Sequence, residues 1–316
     1  MSLSIDEANT ISSKHYDKTI TQQVYEKCPF YLRLKERGNI STDGGTQIQY
    51  PIRHTKLGKA AWVQPRTQVN YSQKETRTAA VLDWKYLYGN AMISWDERVK
   101  NSGKAQIINL MRDKAEELGE DMKDGFATAM WDTSSVTTQL SSLDDIIDTG
   151  DTYAGIAVAD VAGWAAGVED TSTTELALYG SGSLSYSMNT CTFGSDKPDL
   201  IVTTKDLWSK FESLIEPQKR YYGEKSMTAK AGFTTLYWHD AEIVSDVYVA
   251  SGYLYMIDTD KFKIRYNPEW NMKVDPWMKL GESYPYAMVK NCSWVGEICC
   301  TMRKTSGKYT ALDYTI

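Results

Sequence analysis

The three histidines, His15, His54 and His239, are the first residues that could do acid–base or metal chemistry. None stands at HExxH or i, i+4 spacing, and none has a Cys or Glu close by in a metal-ligand pattern. His239, in LYWHDAE, adjoins Asp240 and so offers one corner of a catalytic triad. A triad also needs a positioned nucleophile, and a turn histidine between two strands is the simpler reading. The segment GSGSLS at residues 180–185 does not supply that nucleophile. Ser181 is followed at once by Gly182, which breaks the GxSxG elbow, and a dinucleotide loop would need a preceding strand and a third glycine. Gly58–Lys59 and Gly103–Lys104 lack the upstream glycine of a phosphate loop. Asp144–Asp145 and Asp258/Asp260 sit in turn-like sequence, where Asp is common for conformational reasons. The five cysteines are odd in number and irregularly spaced, without a CxxC pair, which predicts buried reduced thiols and neither a disulfide framework nor a zinc site. Cys299 and Cys300 are adjacent in a strand pattern, so their side chains point to opposite faces. These residues predict no catalytic, cofactor-binding or metal site.

The elements around them predict a different kind of protein. With 316 residues the chain can bury a real core, and 42% hydrophobic against 24% charged residues is a globular balance. A net charge of −6 argues against a dedicated nucleic-acid binder, which needs surplus Lys and Arg against phosphates. The aromatic set, 21 Tyr and 10 Trp against 6 Phe, favours side chains with a polar tip on an apolar body, as suits interfaces. The opening MSLSIDEANT lacks the basic-then-apolar pattern of a signal peptide, and no run reaches the ~18 apolar residues of a membrane span, so a soluble, cytoplasmic protein is expected.

The central element is at residues 102–132. Ile107, Met111, Ala115, Leu118, Met122, Phe126 and Ala129 recur at steps of three and four, which predicts one long amphipathic helix of roughly 40 Å. Glu116, Glu117, Glu120, Asp121, Lys123 and Asp124 load its polar side. Before it, residues 46–54 alternate with Ile48, Tyr50 and Ile52 on one side, and residues 74–88 alternate through Thr76, Ala80, Leu82, Trp84, Tyr86 and Tyr88. Two long antiparallel strands with a broad tip are expected. An isolated ribbon of that kind is marginal in water, which implies a partner surface. Arg53, Lys56, Lys59, Arg66, Lys74 and Arg77 make it basic, with Glu75 the one acid between Gln49 and Arg77. A basic ribbon and an acidic helix in one chain could pair between copies.

Elsewhere, residues 28–37 predict a short helix and residues 38–45 a turn. Residues 171–191 predict a loop or short strands. DLIVT followed by KDLWSKFESLI predicts a strand and a helix capped by Thr204. Residues 286–303 predict a long closing strand with a bulge at Gly296.

This order of elements resembles the major capsid protein of tailed phages, the Hong Kong 97-type fold. The stretches that carry the resemblance are TQIQYPIRHTKLGKAAWVQ and KETRTAAVLDWKYLYGNAMISWDE as an extended loop, residues 102–131 as a spine helix, and PDLIVTTKDLWSKFESLI with HDAEIVSDVYVASGYLYMIDTDKFKI as an axial domain. YAMVKNCSWVGEICCTM would be the closing strand. The resemblance implies an α+β chain divided into an N-terminal arm and short helix (1–45), an extended loop (46–95), a peripheral domain with the spine (96–150), an axial domain (151–280) and a return to the peripheral domain (281–316). It implies no enzyme and no cofactor. Its implied partners are copies of the chain in pentamers and hexamers of an icosahedral head, a separate scaffolding protein, packaged double-stranded DNA, and portal and decoration proteins, without a membrane; its implied place is the virion, after assembly in the host cytoplasm. The residues expected at contacts between copies are Arg53, Lys56, Lys59, Trp62, Arg66, Glu116, Glu117, Glu120 and Asp121. Two alternatives stand beside it, the shell of a cargo-carrying nanocompartment and a β-rich soluble hydrolase.

Overall fold

The computed structural model describes residues 28–64, 71–100, 104–215, 236–280 and 284–313. The expected N-terminal arm at residues 1–24, Arg66 and Pro217 lie outside the described residues. Helix α1, Pro29–Glu36, starts on proline, whose missing amide costs nothing in a first turn, and buries Phe30, Tyr31, Leu32 and Leu34. The following residues were expected to be a turn only. Within them β1, Ile40–Thr42, adds a short parallel strand beside β10, Phe262–Tyr266.

Strands β2, Ile48–Arg53, and β3, Arg77–Leu82, form a two-stranded antiparallel sheet in register from Ile48↔Leu82 to Arg53↔Arg77. The second limb is not one continuous strand to Tyr88, as its alternation predicts. It breaks at Asp83 and Trp84, where Trp84 Nε1 donates to Gly45 O at 2.9 Å. Strand β4, Lys85–Ile93, then leaves the ribbon and pairs with β13, Tyr284–Cys300. A reciprocal cap follows: Ser94 N donates to Glu97 Oε2 at 2.9 Å, and Glu97 N donates back to Ser94 Oγ at 3.3 Å. It opens the short helix α2, Trp95–Lys100.

Helix α3, Lys104–Met130, is unbroken over 27 residues. Met111, Ala115, Leu118, Met122, Phe126 and Met130 are buried along the predicted stripe. It packs on β4 across Gly89, where a Cβ would lie 2.7 Å from Met122 Sδ, so the missing side chain lets helix and sheet approach.

Strand β13 is the centre of the larger sheet. β4 runs antiparallel along it from Met288 to Gly296. β10, β11 (Lys273–Val274) and β12 (Met278–Leu280) also pair with it, over successive stretches. Both of its faces are largely buried, which explains its unusual length of apolar sequence. Gly296 is not a bulge. It keeps register with both Tyr266 and Lys85, and it is glycine because a Cβ would meet the Trp294 ring at 2.5 Å and Arg265 O at 2.8 Å. The register shift falls instead in β12, between Lys279 and Leu280.

A second sheet has the order β5–β14–β9–β6–β8–β7: Val168–Asp170, Gly307–Tyr309, Leu254–Ile257, Leu200–Thr203, Ala241–Ser245 and Leu236–Trp238. β10–β12, numerically inside the expected axial unit, thus belong to the larger sheet, and β14, in the expected closing segment, belongs to this one. Residues 171–191 hold a helix that loop-like composition concealed, α5, Leu184–Cys191, with Ser183 accepting from Tyr186 N. Helix α6, Lys205–Ile215, is capped by Thr204 as expected, with Leu207 and Phe211 buried. No described helix is long and apolar enough to cross a membrane.

Two buried cations join the parts. Arg303 donates to the carbonyls of Ile146 at 2.6 Å, Asp148 at 2.7 Å and Asp151 at 3.1 Å, fixing the turn after α4, Leu143–Ile146. Lys308 Nζ lies 3.1 Å from Asp144, 3.3 Å from Asp148 and 3.3 Å from Glu169, so the last strand is held by charge as well as by its ladder.

Candidate assembly surfaces

The ribbon has a bound root and, over residues 54–64 and 71–76, an exposed outer part. Alternation sends Ile48, Tyr50 and Ile52, with Ala80 and Leu82, into the protein's own core. Tyr50 Oη donates to Cys300 O at 3.0 Å, and Val81 N donates to Ala154 O at 3.0 Å. The expectation of a free-standing ribbon is therefore corrected at its root, which rests on its own body because one face is apolar throughout. Beyond Arg53 the two limbs are linked by His54 N to Thr76 O at 3.1 Å, Lys74 Nζ to Lys56 O at 3.3 Å and Lys59 Nζ to Ser72 Oγ at 3.2 Å. Here Leu57, Trp62, Val63 and Tyr71 are exposed, Trp62 fully (106%) and Tyr71 at 89%. Four large apolar or aromatic side chains exposed together make this outer part of the ribbon a candidate surface.

Arg53 and Lys56 are exposed and make no ion pair among the described residues, while Lys59 is half-buried. The helix acids divide. Glu116 accepts from Arg112 Nε at 2.8 Å and Glu117 from Lys114 Nζ at 2.8 Å, both within α3. Glu120 and Asp121 are exposed and make no ion pair among the described residues. No ion pair joins the ribbon cations to the helix acids within one chain among the described residues. A third surface was not singled out in the sequence. Trp84, Tyr86, Tyr88, Trp270, Trp294 and Val295 line a groove of about 440 Å3 on the sheet, with Lys273 Nζ 4.3 Å from the Trp270 ring. Its signal was the alternation Trp84, Tyr86, Tyr88. Trp270 comes from a distant 3₁₀ turn, which local pattern does not reach.

His239 and Asp240, at φ +48° and +67°, form the turn between β7 and β8. His239 Nε2 lies 3.3 Å from Ser185 Oγ, a pairing the sequence reading did not anticipate. Both groups are exposed, and the Asp240 carboxylate accepts from Lys197 Nζ at 2.8 Å, so no third group is shown orienting the imidazole. Among the described residues no group of three His, Cys, Asp or Glu could hold a metal ion. All five cysteines are buried and outside any disulfide; burial pushes Cys28, Cys191, Cys299 and Cys300 up to about 12, far from thiolate reactivity. Four described carboxyls are raised by burial: Glu297 up to about 7, although it accepts from Ser141 N and Ile298 N, Asp258 up to about 6, and Asp144 and Asp246 in the same direction.

No protein-family model matches the chain, and no curated protein sequence does. Solved structures do. A capsid asymmetric unit of cyanophage A-1(L) aligns with a TM-score of 0.59 at 14% identity, covering 87% of this chain and 90% of that one. The capsid of a native GTA particle gives a TM-score of 0.61 at 9% identity, with 91% of each chain covered. The holo-SrpI encapsulin complex of Synechococcus elongatus PCC 7942 gives 0.51 at 10% identity, over 88% and 86%. The chain has the mixed α+β fold of phage capsid proteins, one that an encapsulin shell is similar to as well.

Proposed function

We propose that this chain is a major capsid protein of the Hong Kong 97 type. Copies of it assemble as pentamers and hexamers into an icosahedral phage head around double-stranded DNA, on a separate scaffolding protein, with portal and decoration proteins joining the shell. It works by association in the virion and catalyses no reaction. The observation that carries this reading is the ribbon tip. A fold shared with capsid proteins holds out Leu57, Trp62, Val63 and Tyr71 on a projection whose root is firmly seated, so the tip finds apolar cover on another copy. Arg53, Lys56, Lys59 and Arg66 of the ribbon set register against Glu116, Glu117, Glu120 and Asp121 of the next spine helix. The Glu120–Asp121 end dominates, since Glu116 and Glu117 already have partners. Each such exposed pair is worth about 0–1 kcal/mol, so specificity comes from their number.

A second reading, the shell of a cargo-carrying nanocompartment, is favoured by the likeness to the encapsulin complex. Electron microscopy of the purified chain, alone and with a candidate scaffold, tests both. Closed shells or capsomer rings are expected. Shells that enclose a protein cargo would move the assignment to the second reading, and a discrete monomer under all conditions would overturn both.

A further inference from the structure

At the foot of the ribbon lies a second concave surface, distinct from the tip. A cleft of about 600 Å3 opens between Pro51–Lys56 of the ribbon, the turn at Gly163 and Trp164, Phe193, and the Thr301–Lys304 segment with Lys261. Its lining carries four cations, Arg53, Lys56, Lys261 and Lys304, together with His54, and no carboxylate. Only Lys261 is neutralised, by Asp196 at 2.8 Å. Arg53, Lys56 and Lys304 make no ion pair among the described residues, and Lys304 instead holds its ammonium 4.9 Å from the Phe193 ring. Arg53 also stands directly across the ribbon from Arg77. Like charges directly opposite on a strand pair are destabilising, and neither arginine makes an ion pair among the described residues. Such a concentration of uncompensated cations, in a chain of net charge −6, is complementary to a multivalent anion.

The shape and chemistry of the cleft narrow the anion. Its volume is room for about twenty water molecules, much more than one inorganic ion fills, so the occupant is extended. Nucleobases would look for open aromatic faces. Trp164 is buried and stacked on Tyr153, and Phe193 already lies under Lys304, which leaves no pair of free rings. Addition of a strand to the ribbon is also disfavoured. His54 N donates across to Thr76, so alternate residues of β2 turn their amides outward, and the central one of these is Pro51, which has no amide to offer. Recognition must then run through side chains. We propose that this cleft is a docking site for an acidic polypeptide segment of a partner protein, whose carboxylates reach Arg53 and Lys56 on one wall and Lys304 on the other. Arg53 and Lys56 are also the cations proposed to face the next spine helix, so the segment and that helix exclude each other there; Lys304 belongs to the cleft alone, and failure at the cleft would leave the apolar tip as it stands.

The probe is a short fluorescein-labelled oligoglutamate peptide, titrated by anisotropy into the full-length chain as purified, at low and at high salt. Binding that weakens about tenfold in Lys304→Glu, and again in Lys56→Glu, is expected, with Lys35→Glu on the exposed side of α1 unchanged. Two separate cleft variants guard against one that misfolds, and far-UV circular dichroism identifies it. Absence of peptide binding to the parent chain, or equal binding to parent and Lys304→Glu, would overturn the proposal. Tighter binding of a single-stranded oligonucleotide that displaces the peptide would also overturn it, by assigning the cleft to phosphates.

Discussion

Glu297 is a carboxyl with a mixed environment. One oxygen accepts two backbone amides, from Ser141 and Ile298, while the other has no hydrogen-bond partner in the described structure. Burial raises it from 4.5 to about 7, so the folded state binds a proton that the unfolded chain gives up near pH 4.5. The stabilisation due to that proton is fully present below about pH 4.5 and is lost as pH rises through about 7. A shift of this size corresponds to about 3 kcal/mol. Glu297→Gln stays neutral, so its melting temperature is expected to fall less than the parent's between pH 5 and pH 8; parallel curves would show that Glu297 does not titrate there. Gly296 makes a steric prediction. Alanine there drives a Cβ into the Trp294 ring and Arg265 O, and a loss of about 1–3 kcal/mol is expected in urea denaturation. A change below ~0.5 kcal/mol would mean that strand and ring give way freely. Neither role was legible beforehand. Glycine in a strand signals either a bulge or a close approach, and only the position of the Trp294 ring, two residues away on the same face, decides between them.

At the scale of elements, legibility followed periodicity. The stripe from Met111 to Met130 and the alternation Ile48, Tyr50, Ile52 predicted α3 and β2, because one face of each meets the core over many residues. The break at Asp83–Trp84 was hidden, since alternation continues through it while hydrogen bonding changes partner from β2 to β13. Helix α5 was hidden by Ser, Thr and Asn, which favour caps and turns as readily as helix. Of the candidate contact residues, the exposed Trp62 tip and the ribbon cations were readable from composition. The cleft was not, for Lys261 and Lys304 reach the ribbon only through tertiary structure. Combined charge reversal at Arg53, Lys56 and Lys59 tests the ribbon as a unit. Since Arg53 and Lys56 are exposed and Lys59 contributes only a surface bond to Ser72, the fold should lose no more than about 0.5 kcal/mol per site. Particle yield by sedimentation is expected to fall severalfold. Normal yield and heat stability of the particles would refute the electrostatic register.

For the molecule as a whole, apolar and charged contacts have different salt signatures. Raising ionic strength from about 0.1 M to about 1 M shortens the screening length from roughly 10 Å to 3 Å. Assembly followed by light scattering should slow severalfold, because long-range steering is lost. Particles already formed should persist, because the apolar cover proposed for Trp62 and its neighbours is not screened. Rapid dissolution in salt would place the cohesion in the ion pairs.

The long strand Tyr284–Cys300 has a consequence for timing on the ribosome. β4 and β10 both take hydrogen-bond partners from it, and the ribbon's Tyr50 anchors on its final carbonyl. During synthesis, everything before residue 284 emerges with those edges open and the projection unaimed. The root of the ribbon therefore has no complete seat until this strand threads between its waiting flanks. On the proposed reading, competence to join other copies arrives together with completion of the fold, a check on quality that requires no separate inspector.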